Sequence, residues 1–153
     1  MATTAQNIDI ESQPKIVKKD EGIKIQNPGE TVYLKITAAE SAGAFLVAEM
    51  DAEPNVGPPL HMHSFEDELF MIHEGQVEFR VAGDTILAEA GDTVWAPRNV
   101  PHTFKTVTKA RFTVIATGGN FEAFFPKYGA ALEAGDFARA TQIAAEHGIT
   151  FLE

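Results

Sequence analysis

The stretch Gly57-Pro58-Pro59-Leu60-His61-Met62-His63-Ser64-Phe65-Glu66-Asp67-Glu68 decides how this chain is read. In an extended strand residues i and i+2 project to the same face, so the imidazoles of His61 and His63 can reach one point. Glu68 lies five residues beyond His63, and on a straight strand that odd spacing turns it to the opposite face. Residues 64–67 are therefore expected to turn or bulge, after which Glu68 re-enters facing the histidines. Phe70 and Ile72 then continue the same face as an apolar wall. Three acids stand in a row here, and spacing favours Glu68 over its competitor Glu66.

His102 opens a further run behind Pro97-Arg98-Asn99-Val100-Pro101, where two prolines stiffen the approach. Its i+2 and i+4 neighbours, Phe104 and Thr106, share the expected interior face. Three imidazoles and one carboxylate suit a single divalent transition metal, Fe, Mn, Ni, Co, Cu or Zn, with positions left open if the ion takes five or six ligands. The 153 residues include no cysteine, so nitrogen and oxygen must hold any metal, and no disulfide framework is available.

Around this stretch the sequence breaks into short runs of branched and aromatic residues at 31–37, 44–50, 68–73, 76–82, 85–88, 93–96, 102–107 and 111–117. Gly75, Gly83 and Gly91 mark turns between them at an even spacing. Short strands on a regular beat predict an all-β fold, an antiparallel barrel or sandwich. The segment 76–81 alternates apolar and polar residues, as a strand wet on one side does. Leu69-Phe70-Met71-Ile72 is apolar on both faces and asks for a second cover, such as an added sheet layer or the partner of a homodimer.

The pattern changes after Gly118-Gly119. Residues 121–132 are rich in aromatics and alanine, and 136–147 read as a short helix with Asp136 as N-cap, Phe137, Ala140, Ile143 and Ala144 as the inner stripe, and Gly148 as the stop. The expected organisation is a polar tail over 1–15, a barrel over 16–120, and a helical segment over 121–153 packed on the outside of the barrel. Twelve Lys and Arg against 22 Asp and Glu give a net charge of -10, which disfavours nucleic acid and anionic lipid as partners. The N-terminal residues show no signal-peptide pattern, and a cytoplasmic protein with a small-molecule partner is the expectation.

Gly57, His61, His63, Glu68 and Gly75 resemble the first motif of the cupin family, and Gly91, Pro97 and His102 its second. Here the gap from the glycine to the first histidine is short, Asn99 stands where the family often has glycine, and Thr106 where it often has asparagine. The resemblance implies a double-stranded β-helix, a jelly-roll-like barrel, with the ion held by His61, His63, Glu68 and His102. The strand running into Thr117-Gly118-Gly119 and the helical tail after it are similar to small cupins likened to quercetin 2,3-dioxygenase. That likeness implies a dioxygenase in which Glu68 is both ligand and base.

Phe70, Ile72, Phe79, Phe104, Thr106 and Phe112 are the expected walls of a substrate pocket suited to a flat aromatic guest, with Arg98 a candidate grip on an anionic one. Arginine on a loop is more simply solvated. His73 falls on the face opposite Glu68 and reads as packing or interface, and His147 as a helix-end residue. Trp95 reads as core or interface. Phe121, Phe124 and Phe125 form the apolar face of the tail or close the barrel mouth. The leading function is an oxygenase acting on an aromatic or enolisable molecule. A metal-dependent isomerase or lyase is the alternative, and a non-catalytic binding module the third reading.

Overall fold

The computed structural model describes residues 13–119 and 121–153. The tail expected over 1–15 therefore lies almost wholly outside the described residues. Alternation in Gln76–Val81 is realised as read: Val77 and Phe79 are buried, while Glu78 is exposed. The same rule orients Asp67–Glu74, where Glu68, Phe70 and Ile72 point inward and Met71 and His73 outward.

Among the described residues, eleven strands form two antiparallel sheets. In the order β1, β2, β3, β10, β5, β8 the first joins Ile23–Asn27, Glu30–Ile36, Phe45–Ala52, Ala110–Thr117, Asp67–Glu74 and Thr93–Ala96. The second joins β11, β4, β9, β6 and β7, which are Ile149–Phe151, His61–His63, His102–Thr106, Gln76–Val81 and Asp84–Glu89. Helices α1 (Phe124–Glu133) and α2 (Phe137–Glu146) stand between β10 and β11, with a 3-10 turn at Phe121–Ala123 leading into α1.

The inner faces of the two sheets meet over a core that includes Val32, Leu46, Val77, Phe79 and Phe112, all at most 1% exposed. Four phenylalanines fill one end of the barrel. Phe70 lies 5.0 Å from Phe79, 5.8 Å from Phe104 and 6.5 Å from Phe112, ring to ring, and Phe104 lies 5.3 Å from Phe112. Rings at these distances interlock and leave no room for a guest between them.

The C-terminal segment differs from its expected placement. Asp136 caps α2 by accepting from the Arg139 backbone N–H at 3.0 Å, and Ala140, Ile143 and Ala144 are buried as the stripe requires. Phe137 is 69% exposed, because it stands at the first turn, where the helix overhangs the barrel mouth. After Gly148 the chain extends again and Ile149, Thr150 and Phe151 pair with His63, Met62 and His61. The segment is thus part of the second sheet as well as a cover. Trp95, across from Leu69 on an edge strand, is 63% exposed and lies outside the core.

Phe112→Ala removes a ring at 0% exposure from the centre of this cluster. The expected loss is about 3–5 kcal/mol of unfolding free energy, read from the urea midpoint at constant m-value.

Candidate metal centre

β4 and β9 lie side by side with His61 opposite His102, so two imidazoles from neighbouring strands start at the same height. His63 follows two residues along β4 on the same face. Residues 64–66 bend and carry the chain across to the other sheet, where β5 begins and Glu68 faces back. The turn that strand parity demanded therefore also moves the chain between sheets. The Ser64 N–H and hydroxyl both donate to the Gly148 carbonyl, at 2.9 and 3.0 Å, tying this bend to the end of α2.

All four side chains are buried, and one ligand atom from each lies within 4.8 Å of the others. This group could hold a metal ion. The His102 Nε2 is 2.8 Å from the Glu68 Oε2, and the His63 Nε2 is 3.2 Å from that same oxygen. Behind the rings, each Nδ1 has its own acceptor: the Pro59 carbonyl for His61 at 2.8 Å, the Val100 carbonyl for His102 at 3.0 Å, and the Glu66 carboxylate for His63 at 3.2 Å. Acceptors at Nδ1 fix the tautomer that leaves Nε2 free to ligate. The His63 Nε2 is buried without a hydrogen-bond partner, and coordination to a cation would satisfy it.

Glu66 thus stands behind His63 and is not in the ligand group. Its carboxylate occupies space that a Cβ at Gly119 would fill, which accounts for a glycine there. Asn99, where glycine is frequent in the family, has φ of 62°, a conformation asparagine tolerates, and its N–H donates to the His63 carbonyl at 2.7 Å. The Thr106 hydroxyl donates to the Glu53 carbonyl at 2.6 Å and accepts from the Val56 N–H at 2.9 Å, so it holds the loop before β4 and does not line a pocket. In that loop Gly57 passes so close to the Phe104 carbonyl that no side chain fits.

Electrostatics separate the three imidazoles. Burial, reinforced by the neighbouring His102, pushes His61 down to about 4. Burial would also lower His63, but the carboxylates of Glu68 and Glu66 outweigh it and push it up to about 9. For Glu68 burial acts upward, yet His63 and His102 together hold it far below the usual carboxylate range. Without metal, the site keeps one proton on His63 against an ionised Glu68.

A cavity of about 360 Å³ opens onto His61, His63 and Glu68. Of the expected walls, Phe70 and Phe104 line it. Ile72, Phe79 and Phe112 do not, since they lie in the filled end of the barrel. Arg98 does not line it: its guanidinium forms a two-pronged contact with Asp67 at 3.1 and 3.2 Å, which pins the loop before His102 to the start of β5. The opposite wall comes from the C-terminal segment, through Phe121, Phe125, Phe137 and Phe151. Asn27, Glu30 and Tyr128 also line the cavity. Sequence reasoning missed these three. The alternation of Ile149-Thr150-Phe151 after Gly148 was the available signal for β11. His73 bonds Thr113 on the outer face at 2.6 Å, and His147 bonds the Ile143 carbonyl at 2.8 Å.

A two-sheet barrel with three histidines and a glutamate gathered inside it defines a class of protein. Residues 48–117 match the cupin domain family model, and the two-sheet fold is that of a cupin barrel. Over 57 residues it is 35% identical to acetate kinase EutQ of Salmonella typhimurium, a match covering 37% of this chain and 25% of that protein. The chain thus spans about a quarter of that relative's length. The polyketide cyclase RemF from Streptomyces resistomycificus is similar in structure with 27% identity and a TM-score of 0.57, over 68% of this chain and 79% of that one. KdgF from Halomonas sp. superposes with a TM-score of 0.64 at 13% identity, over 72% and 99% of the two chains. Among the described residues no helix is long and apolar enough to cross a membrane.

Two outcomes follow from the charges. The metal-free protein loses stability as pH falls from 6.5 towards 4, where the unfolded chain protonates His61 and the folded chain resists, and Glu68 adds to that loss below 4.5. It also loses stability as pH rises from 6.5 towards 9, where the folded chain alone retains the His63 proton. Melts of chelator-treated protein across pH 4–9 check this. Glu66→Gln is expected to weaken metal affinity by about 10- to 100-fold while the fold persists, measured by competition with a chromophoric chelator.

Proposed function

We propose that this cupin is a metal-dependent enzyme acting on a small aromatic or enolisable molecule, with quercetinase-like dioxygenation as its reaction. The observation that carries the reading is a cavity with mostly apolar, aromatic walls and with His61, His63 and Glu68 among its lining residues. Such a cavity suits a flat guest whose oxygen atoms meet the polar place and whose rings meet Phe70, Phe104 and Phe121. A bound divalent ion would supply Lewis acidity there. Glu68, whose carboxylate stands at the cavity, is the group placed to accept the proton of a substrate enol or phenol. The C-terminal segment shields this transfer from water.

A second reading has its own support. The 27% identity to a polyketide cyclase favours carbon–carbon chemistry on an enolisable substrate without oxygen consumption, in line with the isomerase or lyase alternative. Both readings use the same cavity and the same proton acceptor, and oxygen consumption separates them. The homodimer reading rests on the outward row of Leu69, Met71 and Trp95.

Oxygen-electrode measurements on protein reconstituted in turn with each candidate metal, against flavonols, catechols and 1,3-diketones, test the proposal. Oxygen uptake dependent on one metal is expected. Product formation without uptake would replace dioxygenation by the second reading, and silence across the panel would sink both. Glu68→Gln is expected to lower turnover per bound metal by about 10²–10⁴-fold.

A further inference from the structure

Charge is distributed unevenly in the cavity. Its lining contains two carboxylates, Glu68 and Glu30, and no lysine or arginine among the described residues. Glu68 faces the imidazoles of the metal centre. Glu30 has no such company. It stands at the start of β2, two residues before Val32, and strand alternation turns both side chains to the inner face of the six-stranded sheet.

The hairpin that carries Glu30 is braced. Asn27 and Glu30 pair across the β1–β2 turn, whose Gly29 has φ of 74°, the left-handed conformation that a side chain disfavours. The Gln26 side-chain amide donates to the carbonyls of both, at 3.2 and 2.9 Å. Asn27 Oδ1 packs on Gly129 of α1, where a Cβ would collide with it, and this leaves Nδ2 to donate to Glu30 Oε1 at 3.1 Å. Glu30 Oε2 has no hydrogen-bond partner among the described residues. Burial raises the Glu30 carboxyl above its usual range, with the Asn27 hydrogen bond acting against it. Burial also raises the Tyr128 phenol, and the Glu30 charge adds to that, so carboxylate and phenol are neighbours on the cavity wall. A partly buried carboxylate without a cation is stabilised by a positive charge brought to it.

The surroundings suit such a charge. Tyr128, Phe137 and Phe151 line the same cavity, and the electron-rich faces of aromatic rings attract cations where aliphatic walls would not. The Tyr128 ring lies 6.1 Å from Phe151, which lies 6.3 Å from His61, so two ring-to-ring steps join this end to the metal centre. We propose that Glu30 Oε2 accepts a hydrogen bond from a protonated amine of the substrate while the substrate's oxygens meet the metal centre. The substrate class is then an aromatic or enolisable molecule with a basic amine remote from its metal-binding oxygens, and an anionic group at that end is repelled. This rests on the reading of the cavity as the substrate site.

The test uses catechols in isosteric pairs: 4-(2-aminoethyl)catechol against 4-propylcatechol, and 4-(4-aminobutyl)catechol against 4-pentylcatechol. Each pair shares the chelating oxygens and exchanges an ammonium for a methyl, and two chain lengths cover the reach to Glu30. An alkylamine carries its proton at neutral pH as the lysine side chain does. Dissociation constants are measured on the zinc-loaded full chain without oxygen. At one chain length or both, the amine is expected to bind wild type about tenfold more tightly than its isostere, as a charge-assisted hydrogen bond predicts. Glu30→Gln keeps the shape and an acceptor for Asn27, and is expected to reduce that ratio to about one or below while the alkyl compound binds within about twofold of wild type. It removes one charge from a net -10, so a diffuse attraction for cations survives the change and a local pairing does not. Glu30→Met carries the same comparison if the glutamine variant does not fold. No amine preference in wild type at either length, or a preference kept in the variants, overturns the role of Glu30 and leaves the cavity reading standing. Binding of none of the four compounds overturns the cavity as a site for this class, and the inference with it.

Discussion

A buried carboxylate has to be answered by buried donors, and the facing of Glu68 against His63 and His102 is the constraint on which this structure depends. The carboxylate belongs to the six-stranded sheet and the imidazoles to the five-stranded one. Their meeting therefore fixes how the two sheets sit over each other at this end of the barrel. Backbone carbonyls at Pro59 and Val100, and the second buried carboxylate of Glu66, complete the set by holding the far side of each ring. A cation placed among these groups would replace the one proton they now share.

Packing divides the barrel into two ends. Phe79 and Phe112 close one completely, while Phe70 and Phe104 have one flank in that cluster and the other on the cavity. The residues that set the floor of the site are therefore the same ones that stabilise the fold. The walls have a different origin, since the C-terminal segment and the β1–β2 hairpin supply them. Sequence variation there can alter the guest without disturbing ligands or core.

Much of this was legible because strands repeat every two residues. Parity alone placed His61 with His63, demanded the bend at 64–67 and put Glu68 and Phe70 on one face. The ambiguity between Glu66 and Glu68 was real, because both carboxylates are buried beside His63 and only the geometry assigns one in front of the ring and one behind it. Periodicity also marked Phe79, Phe112 and Ile72 as inward, and they are. It carries no information on how far along the barrel axis a side chain sits, so it could not separate packed floor from open cavity. Arg98 escaped for another reason: its partner Asp67 is 31 residues away in sequence. Asn27 and Glu30 look like ordinary turn residues until the helical segment folds over them.

β4 is only three residues long, and its two neighbours hold it unequally. It meets β9 through the single pair His61–His102, but meets β11 along its whole length. A strand that presents two of the four ligating side chains thus gains most of its ladder from residues made long after it. During synthesis on the ribosome, the histidines emerge well ahead of the strand that pairs with β4 along its length. A chain cut short after α2 would carry all four of these side chains and still leave the strand bearing two of them unsupported along one edge.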